Sequence, residues 1–493
     1  MACPLYWKTR GNHSNNNRVE VRTLNEPKLL TDEQMRLFIT QGFLMLQTDF
    51  SDAFHQKLLE QLHEVYEKEG NPGNNILPRI RELQKVFDHP TVTGALTSVL
   101  GPDYLMHQHR HGHYNAENAP GRWHKDSYWG YRRTMRNHHP WWAMIMYFPQ
   151  DTPIELGPTG VMPGTHNYDT RVFPEEEYEY EATAQGKAGT FALIHYDMWH
   201  RSTPNTLGTP RYMLKFEFMR TAPPTAPTWE NLDATWQKPA TCNTPFAEHP
   251  VMWEDTWRWL RGELCGLADT KLGSTAQERA ALQEQLASTY EPDALNASYA
   301  LSTMGREGID ILLNALHHEN VKVSRIAAYG CAVAGSEAVA GLTEALRSER
   351  AETVAHAAFA LGELRHLASG AAAALHDLMA HESPKVRFTV CEALSMIAQP
   401  ADICVDGLIR GLEDADVQVR FTAAQSLTRL GAAADRAIPY LETMLDDENR
   451  YVRGHALDAL RYIGTERARD VLINQLFQTR WCSSTTPAST FYP

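Results

Sequence analysis

Apolar and polar positions change their rhythm twice along this chain. Near the N-terminus the rhythm is helical. Thr31-Asp32-Glu33-Gln34 has the form of a capping box, Thr31 at the N-cap and Gln34 reaching back. The helix it opens runs into Gly42, the short apolar strand FLML follows, and a second helix rich in Leu, Glu and Lys occupies the low fifties to about Gly70. From about 104 to 220 short apolar segments alternate with Gly, Pro, Asn and His, the texture of an antiparallel β-domain. Its clearest strands are WWAMIMYF (141–148), TFALIH (190–195) and YMLKFEFM (212–219). A Pro- and Thr-rich stretch, 221–240, closes that region. Helical spacing returns in MWEDTWRWLRGEL (252–264), whose Trp253, Trp257 and Trp259 read as packing anchors.

The last third repeats. Val323, Thr353, Val386, Val419 and Val452 begin the lines VSRIAAYGC, TVAHAAFAL, VRFTVCEAL, VRFTAAQSL and VRGHALDAL, and the spacing of these starts is nearly constant. Each line puts small or apolar residues on one helical face. A second apolar helix lies between lines, as in CVDGLIRGL (404–412) and AIPYLETML (437–445). A helix-pair period of this length means an α-solenoid. The lines resemble short HEAT-like repeats with a V-R-x-x-A-A-x-A-L pattern, over about 305–475. The expected organisation is a tail at 1–28, a β-domain with its flanking helices at 29–235, a helical connector at 236–304, the solenoid at 305–475 and a tail at 476–493.

Composition narrows the class. A formal net charge of −14 argues against general nucleic-acid binding, and no apolar run reaches the ~18 residues of a membrane span. The opening MACPLYWKTRGNHSNNN lacks the apolar core of a secretory signal. Seven cysteines, at 3, 242, 265, 331, 391, 404 and 482, include no Cys-x-x-Cys pair and read as reduced thiols of a cytoplasmic protein.

The candidate chemistry lies in His124-Lys125-Asp126. Residues two apart in a strand share a face, so both side chains can aim at one metal. His200 follows a strong strand well downstream of Asp126, and Arg211 opens the strand after that. Two histidines and a carboxylate make a facial triad for Fe(II) with open positions for a 2-oxo acid and O₂. A rigid guanidinium fork suits the far carboxylate of 2-oxoglutarate. His-x-Asp alone is weak evidence among 22 histidines, and a second match, His195-Tyr196-Asp197, occurs on the strand leading to His200. Only the first pair has a distal His and Arg downstream, with the turn segment GPTGVMPGTH (157–166) between the ligand regions.

On these residues the region from about 30 to 225 resembles the phytanoyl-CoA dioxygenase family of Fe(II)/2-oxoglutarate oxygenases. The carrying segments are LTDEQMRLFITQGFLML, WHKDSYW (123–129), GPTGVMPGTHN (157–167) and HYDMWHRSTPNTLGTPRYMLKF (195–216). The resemblance implies a double-stranded β-helix with flanking helices. It implies His124, Asp126 and His200 as iron ligands, Arg211 as partner of the 2-oxoglutarate carboxylate, and Gln108 near the co-substrate. It implies hydroxylation of an unactivated C–H bond of a small molecule, with succinate and CO₂ as co-products. Asp126 stands where related halogenases carry a small residue, which favours hydroxylation.

Several features stay open at this stage. His107, His109, His111 and His113 would share one face of a strand, read here as a solvent-facing or interdomain stripe opposite Gln108. Trp123, Tyr128 and Trp129 fit either a substrate pocket or the core, and His166 reads as a turn stabiliser. The solenoid admits two other accounts: a peptide or protein hydroxylase whose repeats recruit the substrate, or a non-catalytic scaffold. His318-Glu319 and His381-Glu382, weighed as di-iron ligands, fall in turns before the repeat lines.

Overall fold

A computed structural model describes residues 26–128, 135–177, 179–268 and 273–478. Most of both expected tails, with Cys3 and Cys482, lie outside the described residues, as do Trp129 and the side chain of Tyr128. Contacts divide the chain into two units: one runs through Leu312 and includes Arg325–Ala334, the other comprises Leu313–Ser324 and the residues from Gly335 onward. No helix among the described residues is long and apolar enough to cross a membrane.

The first unit contains eight described strands: β1 (Phe43–Gln47), β2 (Leu105–Asn115), β3 (Trp142–Tyr147), β4 (Thr159–Val161), β5 (Ala182–Thr183), β6 (Thr190–His195), β7 (His200–Ser202) and β8 (Arg211–Met219). They form a five-stranded sheet, β1-β6-β3-β8-β2, and a three-stranded sheet, β5-β4-β7, with every neighbouring pair antiparallel. Every residue of β3, β6 and β8 is buried. Burial on both faces explains why these strands read as continuous apolar runs without alternation. The two faces of β8 nevertheless differ. Tyr212, Phe216 and Phe218 meet His63, Phe87 and Tyr104 from outside the sheet. Arg211, Met213 and Lys215 point the other way and line a cavity.

The predicted N-terminal helix spans Asp32–Gln41 with its Thr31/Gln34 capping box in place. Gly42 ends it in the left-handed region at φ 80°, where a Cβ would lie 2.3 Å from Met198 Cε. Only glycine combines that dihedral with that approach. Asp32 accepts hydrogen bonds from Trp229 Nε1 (2.7 Å) and from the backbone N–H groups of Leu232 and Asp233 (both 2.8 Å), pinning the Pro/Thr-rich segment to the helix start. The tryptophan helix spans Pro250–Leu260. Trp253, Trp257 and Trp259 are at most 2% exposed, so they are packing anchors.

The repeat lines form the helices Val321–Val333, Ala351–Glu363, Pro384–Ile397, Val417–Leu430 and Arg450–Ile463. In the second unit Val386, Val419 and Val452 are fully buried, as are Leu361, Leu394, Leu427 and Leu460, so each line places the same two positions in the core. The recurrent arginine holds the preceding turn. Arg387 donates to the carbonyls of His381 (2.8 Å) and Glu382 (3.0 Å), and Arg420 to those of Asp414 and Ala415 (both 3.0 Å). Each also pairs with an aspartate of the next turn: Arg387 with Asp414 at 2.6 Å, Arg420 with Asp447 at 2.8 Å. His381-Glu382 and His318-Glu319 therefore serve the turns through their backbones, the latter accepting from Arg350.

The first line departs from the others, because Arg325–Ala334 belongs to the first unit. Gly330 lets this helix sit where a Cβ would lie 2.5 Å from Ser298 Oγ. Tyr329 Oη accepts from the Arg136 backbone N–H at 2.9 Å, and Arg325 pairs with Asp169 at 2.7 Å.

Candidate metal centre

The short bridge between His124 and His200 builds the centre. Each backbone N–H donates to the other's carbonyl, at 3.0 and 3.1 Å, which fixes the two residues side by side with ring centroids 4.3 Å apart. Asp126 begins a single 3₁₀ turn two residues on. His124, Asp126 and His200 each offer one donor atom, all within 4.8 Å of one another, and they are the one such group among the described residues.

The protonation pattern suits a cation. His124 Nδ1 lies 2.9 Å from the Arg122 carbonyl and His200 Nδ1 lies 3.0 Å from the Met198 carbonyl. A carbonyl only accepts, so both Nδ1 atoms carry the proton and both Nε2 atoms present lone pairs. Burial lowers the His200 imidazole to about 4, against the opposing pull of Asp126. Burial also pushes the Asp126 carboxyl up, but the Lys215 ammonium beside it holds it well below the usual carboxylate range. Two imidazole Nε2 atoms and a carboxylate thus converge, the donor set of an Fe(II) facial triad. Lys215 Nζ lies 2.8 Å from Asp126 Oδ2 and supplies a positive charge there.

His124 and His200 open onto a cavity of about 510 Å³ whose lining also includes His113, Arg211 and Lys215. Arg211 is 2% exposed. Its Nε donates to the Gly157 carbonyl at 3.0 Å, and its Nη1 is buried with no hydrogen-bond partner among the described residues. Burial lowers the guanidinium to about 10, so it stays charged at neutral pH. Gly157 stands at φ +72°, and a Cβ there would lie 2.7 Å from the Thr203 carbonyl; the glycine lets its own carbonyl take the guanidinium.

Residues 46–213 match the phytanoyl-CoA dioxygenase (PhyH) family, and residues 339–403 and 405–480 match HEAT repeats. The chain joins a PhyH-family domain to HEAT repeats. No curated protein matches it. Among solved structures, the chain is similar to the non-heme alpha-ketoglutarate-dependent carbocyclase SnoK of nogalamycin biosynthesis: 17% identity, 40% of this chain and 88% of that one, TM-score 0.33. It is also similar to HygX from Streptomyces hygroscopicus with nickel and 2-oxoglutarate bound: 14% identity, 44% and 96%, TM-score 0.32. A third is the non-heme monooxygenase ThoJ in a nickel complex: 19% identity, 42% and 86%, TM-score 0.31.

Within the PhyH domain the other sequence candidates separate. The second His-x-Asp goes elsewhere: His195 Nδ1 accepts from the Asp197 N–H at 3.2 Å, and Asp197 pairs with Arg136 at 2.9 Å. Trp123 packs in a core cluster with Met162 and Phe173, with the Arg201 guanidinium 4.3 Å from its ring centroid. His166 Nε2 lies 3.2 Å from the Ile39 carbonyl, tying its turn to the first helix.

The histidine stripe is not a solvent-facing row on one regular strand face. A bulge on β2 sets the whole of 107–109 against Glu217, between the pairs Met106↔Phe218 and Arg110↔Phe216. Beyond the bulge His111 faces Lys215 and His113 faces Met213, the inward side of β8. His107 is fully buried, its Nδ1 3.2 Å from Glu217 Oε2, and His113 lines the cavity. Gln108 sits within the bulge and is not among the cavity-lining residues. Sequence reasoning missed Lys215. Its signal was two further charges after Arg211, Lys215 and Glu217, alternating with apolar residues in the same strand.

Proposed function

We propose that this protein is an Fe(II)- and 2-oxoglutarate-dependent oxygenase that hydroxylates an unactivated C–H bond of a small molecule. In this reading the two sheets are the halves of a double-stranded β-helix, with 29–235 as the catalytic region. His124, Asp126 and His200 would hold the iron through the two Nε2 atoms and a carboxylate oxygen. Arg211 would bind the far carboxylate of 2-oxoglutarate. Iron bound there with the keto acid and O₂ would supply oxidative decarboxylation coupled to C–H oxidation, releasing succinate and CO₂.

The protein's own part is placement. The paired Nδ1–carbonyl hydrogen bonds fix ring orientation and leave the lone pairs facing inward. The β4 and β7 backbones hold His200 rigid, and burial keeps Arg211 dry, where its charge acts strongly on an anion. The observation that carries the reading is a cluster of three acceptor side chains, two of which, His124 and His200, line one cavity with a buried guanidinium that has an unpartnered nitrogen. A volume of about 510 Å³ lies in the range of small-molecule pockets, which favours a small substrate over a folded protein. The HEAT repeats support a second reading, in which they recruit a protein or peptide.

The test is turnover without added substrate. Purified protein given Fe(II), ascorbate, O₂ and 2-oxoglutarate should form succinate slowly, and His200→Ala should form none. Absence of succinate together with absence of Fe(II) binding would favour a non-catalytic scaffold.

A further inference from the structure

Arg211 is not the one polar group waiting in the cavity. On β2, His113 pairs with Met213 and Asn115 pairs with Arg211, so His113 and Arg211 are diagonal neighbours on adjacent strands. Diagonal neighbours share a face at ~7 Å. Both line the cavity. His113 Nε2, like Arg211 Nη1, is buried and has no hydrogen-bond partner among the described residues. Buried polar groups without partners are costly, so two on one wall of one cavity indicate a ligand. His124 and His200 line the same cavity, so the imidazole of His113 shares it with two metal-ligand candidates as well as the guanidinium. Burial, reinforced by Lys215, keeps this histidine neutral, so it offers a hydrogen bond without adding charge. A carboxylate has about four lone-pair sites, and Arg211 has already given its Nε to Gly157, leaving room for a second donor.

We propose that His113 donates from Nε2 to the far carboxylate of 2-oxoglutarate beside Arg211, so that β2 and β8 each contribute one side chain to its recognition. This assignment rests on the oxygenase reading above. It also gives the histidine stripe a role at the residue that lines the cavity, His113.

Two probes separate the ends of the co-substrate: 2-oxoglutarate, and 2-oxopentanoate, which keeps the keto-acid head and chain length but lacks the far carboxylate. Each is titrated anaerobically into the full chain loaded with Fe(II), read by the visible charge-transfer band. The wild type should bind 2-oxoglutarate at least ~100-fold more tightly than 2-oxopentanoate, as one buried carboxylate–guanidinium pair requires. His113→Leu should cut that ratio about ten-fold, the worth of one charge-assisted hydrogen bond, by weakening 2-oxoglutarate alone. His113→Gln, which keeps an N–H, should restore most of the ratio. His113→Phe, which keeps a ring and removes both nitrogens, is the second apolar variant, read the same way if the leucine variant does not fold. An unchanged ratio, or equal weakening of both acids, overturns the His113 assignment and leaves the oxygenase reading intact. A wild type that binds neither acid with Fe(II) overturns both.

Discussion

Arg211→Met keeps most of the side chain's length and removes its charge, and the structure sets how much that should cost. The residue is 2% exposed, so solvent screens its charge little. Two charge-assisted hydrogen bonds from the fork to a carboxylate are worth ~1.5–3 kcal/mol each, and breaking a buried ion pair costs ~3–5 kcal/mol. At ~1.4 kcal/mol per decade, 2-oxoglutarate affinity should fall by two to four orders of magnitude. The fold should survive, because the hydrogen bond lost to the protein, from Nε to the Gly157 carbonyl, is worth about 1 kcal/mol. Arg211→Lys should recover only part of the loss, since an ammonium restores the charge without the planar fork. The assay is equilibrium titration of 2-oxoglutarate into the anaerobic Fe(II) protein, with an unfolding midpoint for each variant. A fall in affinity below about five-fold in a folded Arg211→Met protein would refute the assignment.

Burial holds His138, His195 and His249 neutral, at about 3, 4 and 4. Unfolded histidine titrates near 6.5, so below that pH the unfolded chain binds more protons and stability falls, by up to ~1.4 kcal/mol per pH unit for each, with buried Glu217, whose carboxyl is raised by burial, opposing. The urea midpoint of the metal-free protein should therefore drop between pH 7 and pH 5, and a flat profile would contradict the burial of these rings. Arg420→Ala removes two backbone hydrogen bonds and the Asp447 pair, and should lower the stability of the repeat unit by about 2–4 kcal/mol in urea titrations. A loss below ~0.5 kcal/mol, the usual size of surface effects, would show that the arginine ladder is ornamental. Gly157→Ala places a Cβ against the Thr203 carbonyl at a left-handed dihedral, and should weaken 2-oxoglutarate binding at least ten-fold by shifting the carbonyl that orients Arg211.

The repeat helices were legible because one physical unit recurs, and the same valine and leucine return to the core once per repeat. The first helix was legible from its cap, and β3, β6 and β8 from their apolar runs. The triad could be nominated because its partners are two local pairs, His124 with Asp126 and His200 with Arg211, each at short spacing. The β2 stripe was misread because strict alternation fails at a bulge, and a bulge leaves no mark in a run of histidines. The buried network of Arg136, Asp169, Asp197, Glu291 and Arg325 had no sequence signal at all. Its members come from distant parts of the chain and meet only after folding. The same holds for Arg325–Ala334, whose repeat pattern gives no hint that it joins the first unit.

Stoichiometric binding of Fe(II) under anaerobic conditions, measured in the wild type, in His124→Ala and His200→Ala, and in His195→Ala, tests the metal centre most directly. One tightly bound ion per chain is expected in the wild type and in the His195 variant, and a loss of at least ten-fold in affinity in each of the other two. Equal binding by all four proteins, or loss confined to the His195 variant, would contradict a centre built on His124, Asp126 and His200.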